Sequence, residues 1–253
     1  MKFQNYLQTE FLKTKRSKIL PLLFLAPILV ISSGISSLSR YFTPEYENAW
    51  QAMFVQSALL YAYYLLPLTM IVVCLMLQQR ESGNFALRKM LSLPISRQKL
   101  SLAKLVVALM YLLAEVLIFF LLFVVVGLFY AKSAGITQSL PILYLVRRSL
   151  EIFLSMIPTL ALIWLLMTLF EKPLLSVGLN FLCVLPAILV ANTPLRFCYP
   201  YCYSGYLVSN ELHLGAEGYS SGISWPFVLI AVFISAIAMS LSAELYGKTE
   251  LSE

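Results

Sequence analysis

Glu115 stands inside the apolar run from Leu105 to Tyr130, eleven residues past Lys104. At about 1.5 Å per residue in a helix it lies roughly 16 Å beyond that lysine, close to the middle of a bilayer. A charge is most costly there, so this position predicts a functional carboxyl that attracts a cationic substrate or relays a proton. The plainer alternative is a protonated Glu115 bonded to a neighbouring helix. Glu151 has different company: Arg147 and Arg148 precede it by four and three residues, which predicts a local ion pair on one helical face. Cys198 and Cys202 flank Pro200 in the run CYPYC, and a disulfide between them requires the segment to turn. With His213 they still fall short of a zinc ligand set, so no metal is expected. Cys74 and Cys183 lie in apolar runs and read as inert. Gly247-Lys248-Thr249 ends like a phosphate-binding loop, but Ser242 occupies the place of the first glycine and an apolar helix precedes it. All 12 acidic residues are Glu. Without Asp no Ser-His-Asp set can form, and no catalytic residue is assigned. The chain is therefore not expected to be an enzyme or to bind a cofactor itself, and any ATP and magnesium would sit on a partner subunit.

The elements that must carry these groups are membrane helices. Of 253 residues 60% are apolar and 12% charged, which excludes the core-and-surface partition of a soluble domain. We read one all-α membrane domain over 1–253, with spans at 19–39, 53–77, 105–130, 149–170, 174–191 and 225–241, each near the roughly 20 residues a bilayer requires. Pro27, Pro67, Pro158 and Pro186 fall within four of them and predict freed carbonyls and kinks. An even number of spans returns both termini to one side. Thirteen of the 18 basic residues fall in the N-terminal segment, the 78–104 loop, the 171–173 turn and the C-terminal tail, which marks these as cytoplasmic. That asymmetry accounts for the net charge of +6 without nucleic acid as a partner.

Three polar stretches stand out between the spans. Residues 1–18 place Phe3, Tyr6, Leu7 and Phe11 at helical spacing among lysines, which predicts an interfacial amphipathic helix. The loop 78–104 carries Arg80, Arg88, Lys89, Arg97, Lys99 and Lys104 against Glu81 alone. Its apolar Phe85, Leu87, Met90 and Leu91, ended by Pro94, predict a short helix that either docks a soluble partner or merely fixes topology. The outer segment 192–224 holds Phe197, Tyr199, Tyr201, Tyr203, Tyr206 and Tyr219. These rings are expected either at headgroup level or as a contact surface for amphipathic peptides, with Tyr199, Tyr201 and Tyr203 as its candidates.

Glu81, Gly83, Phe85, Leu91, the run Leu93-Pro94-Ile95-Ser96-Arg97 and Lys104 resemble the loop after the second span of type 2 ABC-exporter permeases. Together with Glu10-Phe11-Leu12-Lys13 and Lys15-Arg16-Ser17, they are most similar to the lantibiotic immunity branch, where an aromatic often seen as Trp stands in place of Phe85. The resemblance implies a permease in the cell membrane that expels amphipathic antimicrobial peptides and pairs with a second permease, identical or homologous. It also implies two cytosolic ABC ATPase subunits coupled through Glu81, Phe85, Leu87, Arg88, Met90, Leu91, Pro94 and Arg97. A permease for bacitracin-like or other drugs, or a membrane enzyme or scaffold centred on Glu115, are the alternatives.

Overall fold

The computed structural model describes residues 3–15, 19–36, 49–82, 97–133, 139–170, 172–210 and 225–248. Among the described residues every regular element is helical. Helix α1 (Phe3–Lys15) is followed by α2 (Ile19–Ser36). The second span is composite: α3 (Ala49–Leu60), a π-helical segment (Tyr61–Leu65) and α4 (Leu66–Ser82). Helices α5 (Arg97–Ser133) and α6 (Ile142–Leu169) are the long central pair. The fifth span consists of α7 (Pro173–Val184) and α8 (Ala187–Ala191). Two 3-10 turns and α9 (Tyr203–Asn210) follow, then α10 (Trp225–Lys248).

Five stretches, Trp50–Gln79, Arg97–Ser133, Ile142–Leu169, Pro173–Ala191 and Trp225–Tyr246, are long and apolar enough to cross a membrane, and α2 taken with α1 makes a sixth. The described residues are thus those of a helical, multi-pass membrane protein, as the apolar runs predict. Several helices are longer than those runs. The 37 residues of α5 extend about 55 Å against a hydrocarbon core of roughly 30 Å, so Arg97 to Lys104 carry the helix beyond its apolar centre. The four prolines do not all act alike. Helices α2 and α6 run on through Pro27 and Pro158, the break at Leu185 and Pro186 separates α7 from α8, and Pro67 follows the π segment.

Aromatic rings fill the centre. Phe54 meets Phe119 and Phe123 edge-on at centroid distances of 5.9 and 5.4 Å, and Tyr61 stacks on Phe119 at 4.5 Å. Lipid is as apolar as these rings, so close packing and polar contacts hold such helices together more than water exclusion does. Gly34 shows how close the approach is: a Cβ there would come within 2.2 Å of Ser57 Oγ. Leu117, Leu121 and Val125 on α5, with Leu229, Val232 and Phe233 on α10, point outward, where lipid satisfies them.

Candidate functional site

The buried polar groups form three layers along the second and third spans. In the layer nearest the 78–104 loop, Lys104 is 1% exposed and places Nζ 3.0 Å from Glu10 Oε2. The same ammonium donates to the Leu77 carbonyl at 3.2 Å. Lys13 Nζ lies 2.6 Å from the other oxygen, Glu10 Oε1. Burial alone would raise the Glu10 pKa, but the charges of Lys104 and Lys13 outweigh it and hold the carboxyl below its usual range. Around this knot Tyr6 packs with Leu100 and Ala103. Gln78 Nε2 donates to the Met167 carbonyl at 2.7 Å, and Trp164 Nε1 donates to Ser101 Oγ at 3.1 Å. Helices α1, α4, α5 and α6 are thereby joined where the loop leaves and re-enters the helical body.

In the middle layer Glu115 is wholly buried. Thr69 Oγ1 lies 2.7 and 2.8 Å from its two carboxyl oxygens and 2.9 Å from the Leu66 carbonyl. One hydroxyl carries one hydrogen. If Glu115 is the acid and donates to Thr69, Thr69 is free to donate to Leu66, and each hydrogen has an acceptor. An ionised Glu115 would leave one of these bonds unmade and a charge facing hydrocarbon. The hydroxyls of Ser57 and Tyr61 are also buried here, without a hydrogen-bond partner among the described residues.

The outer layer is built from 194–210, which folds inward instead of forming an exposed loop. Tyr201 and Tyr203 are buried. The Tyr201 hydroxyl donates to Asn180 Oδ1 at 2.8 Å, while the Tyr203 and Tyr199 hydroxyls donate to the carbonyls of Phe197 and Cys183. Thr159 Oγ1 donates to the Pro200 carbonyl at 2.7 Å, and Ser204 Oγ to the Ala62 carbonyl at 2.7 Å.

These placements revise several expectations. Tyr201 and Tyr203 do not form an exposed peptide surface, because their rings and hydroxyls are used inside; Tyr199 remains half-buried. Cys198 and Cys202 are both free thiols, and Cys202 Sγ lies against the Tyr199 carbonyl at 3.0 Å, so the possible disulfide between them is not formed. Glu115 is wholly buried and bonded to Thr69 on the neighbouring α4. Glu151 is paired as expected, 3.0 Å from Arg147 and 2.5 Å from Arg148. Gly247 and Lys248 belong to the last turn of α10, not to a loop. Of the coupling residues, Phe85, Leu87, Arg88, Met90, Leu91 and Pro94 lie outside the described residues, as does His213. Glu81 falls in the last turn of α4 and Arg97 opens α5, so the two ends of the segment are fixed in helices.

Sequence reasoning singled out both Glu10 and Lys104 without pairing them, and it overlooked Thr69, Asn180 and Ser204. The signal for Thr69 and Asn180 was a polar side chain in an apolar run, which membrane helices place against a partner; Ser204, in the polar segment after the fifth span, had no such signal. The sequence model of the ABC-2 family transporter proteins matches residues 6–187. That stretch contains Glu10, Thr69, Lys104 and Glu115 and ends before the outer layer. No curated protein and no solved structure matches the chain.

Proposed function

The chain belongs to the ABC-2 family of transporter proteins and is the membrane permease of an ABC transporter, and from that premise we propose that it expels amphipathic antimicrobial peptides, lantibiotics in particular, from the membrane of the cell that makes them. It works with a second permease, identical or homologous, and with two cytosolic ATPase subunits that hold ATP and magnesium. Both of its termini and the 78–104 loop face the cytoplasm.

One observation carries this reading. The two stretches that bear the resemblance to lantibiotic immunity permeases, the N-terminal Glu10 motif and the loop that ends at Lys104, are joined by the buried Glu10–Lys104 bond. That contact gives the N-terminal helix a task beyond anchoring. When the ATPase subunits close, they push the segment around Phe85 to Leu91, and the push reaches α5 through Arg97 and α4 through Glu81. The Glu10–Lys104–Leu77 knot then makes α1, α4 and α5 move as one body. The spans consequently change their tilt together, and with it access to the surface between the two permeases.

The test is co-purification with the cytosolic ABC ATPase subunit, run with growth at graded lantibiotic concentrations. Replacing Phe85 and Leu91 together with Ser removes the apolar anchors of the docking segment, and such anchors carry most of an interface's energy. The account expects loss of the ATPase from the complex and loss of peptide tolerance. Full ATPase binding with full tolerance would refute the coupling assignment. Loss of ATPase binding in a complex that had never protected against lantibiotics would leave the permease reading standing and remove the peptide.

A further inference from the structure

The π segment of the second span has an unmet hydrogen bond, and α9 meets it. In an α-helix the Ala62 carbonyl would accept from the N–H of Leu66, four residues on. Here the Leu66 N–H goes to the Tyr61 carbonyl, five residues back, as π geometry requires. The next possible backbone donor to Ala62 in that register is residue 67, and Pro67 has no N–H. The Ala62 carbonyl therefore has no donor within its own helix. Its donor is Ser204 Oγ, 2.7 Å away and wholly buried.

The contact is built on both sides. A Cβ on Gly205 would lie 2.2 Å from the Tyr63 ring, so only glycine lets α9 come close enough for Ser204 to reach. One turn further, the Ser209 hydroxyl lies 3.1 Å from the Tyr63 hydroxyl. Ser204, Gly205 and Ser209 thus present one face of a short helix to the π segment. Hydrocarbon offers no water to a bare carbonyl, so the π register and the seated α9 depend on each other.

We infer that α9 is a latch and Ser204 a positioning residue: its hydroxyl holds the second span in the π register by supplying the hydrogen bond that Pro67 withholds from Ala62. When α9 lifts, Ala62 loses its donor and the π register loses its advantage: the α register returns the Leu66 N–H to Ala62 and leaves the Tyr63 carbonyl, four residues before Pro67, as the one without a donor. Removing the one-residue bulge turns α3 by roughly 100° relative to α4, since an α-helix has 3.6 residues per turn. Ser57 and Tyr61 turn with it, and Tyr61 leaves its stack on Phe119. The outer end of the permease is in this way linked to the packing of its centre.

The full chain in lipid nanodiscs tests this by hydrogen–deuterium exchange at the amides of Tyr63 to Leu66. Ser204→Ala should raise their exchange about tenfold, the effect of one lost buried hydrogen bond, with a smaller rise for Ser204→Cys. Pro67→Ala restores an N–H that reaches Ala62 in the π register. The double variant Pro67→Ala/Ser204→Ala should therefore return to within about threefold of the wild type, a coupling that a packing role for Ser204 would not produce. Unchanged exchange in Ser204→Ala, or no rescue by Pro67→Ala, would overturn the latch. Should Ser204→Ala fail to fold, the pair Ser204→Cys and Pro67→Ala/Ser204→Cys decides by the same criterion.

Discussion

Glu10, on α1, and Glu115, on α5, are both buried carboxyls, and they are satisfied by opposite means. Glu10 meets two ammonium groups at 2.6 and 3.0 Å. Glu115 meets one hydroxyl, with no basic group in its hydrogen-bonding set. Lys104 and Lys13 hold the Glu10 carboxyl below its usual range, and the Lys104 ammonium also reaches the Leu77 carbonyl. The second needs no charge, because a neutral acid that donates to Thr69 gives every hydrogen an acceptor. A carboxyl in a membrane protein is thus not one kind of evidence: depth and company decide whether it acts as an ionic rivet or as a neutral polar bond.

The contrast is broken most severely at the rivet. Lys104→Met leaves Glu10 buried beside Lys13 alone, and loss of one member of a buried pair costs about 3–5 kcal/mol. Unfolding in denaturant, followed for the full chain in mixed micelles, should show a loss of that size. Replacing both residues, Glu10→Met with Lys104→Met, should recover most of it, because paired removal leaves no lone charge. A single variant as stable as the wild type would show that the bond carries no load.

Next comes the neutral bond. Glu115→Gln keeps a polar side chain able to bond Thr69, and the same assay should find a change within about 1 kcal/mol. Thr69→Val strands the buried carboxyl and should cost about 1–3 kcal/mol, more than the conservative change at Glu115. If Glu115→Gln proves as damaging as Lys104→Met, the carboxyl is ionised and the contrast fails.

A smaller effect separates the two by pH. The Glu10 pKa is depressed in the folded chain, so its contribution is present above the ordinary carboxylate value of about 4.3 and is lost as pH falls through the lower folded value. The thermal midpoint should stay level from neutral pH to about 5 and fall below that, and Glu10→Gln should flatten this dependence. Retention of the full acid slope in Glu10→Gln would assign it to other groups. Labelling of single cysteines sharpens the geometry without changing stability: position 88 should react from the cytoplasmic side only, and position 210 from the outside only.

Much of this was legible in the sequence, for identifiable reasons. Apolar runs of membrane length gave the helices, because hydrocarbon forces the backbone to satisfy itself locally. Arg147, Arg148 and Glu151 could be paired on paper because their partners lie within one helical turn. Glu10 and Lys104 could not, since 94 positions separate them and only the packing of α1 on α5 brings them together. The π segment was hidden because Pro67 announces a freed carbonyl but not which helix will answer it. The outer layer misled for a physical reason: Tyr201 and Tyr203 suit a headgroup interface and a buried core equally well, and only their internal acceptors, Asn180 and the Phe197 carbonyl, decide between the two.

The claim that the Glu10–Lys104 bond transmits ATPase movement to the spans is tested most directly by exchanging its charges. The permease and its ATPase are reconstituted together, and permease-dependent stimulation of ATP hydrolysis is measured for Glu10→Lys, Lys104→Glu and the double exchange, each checked for intact assembly. Each single variant should lose about tenfold or more of the stimulation, and the exchange should recover a large part of it, as expected for two residues acting as a unit. Full stimulation in an assembled single variant would contradict the account.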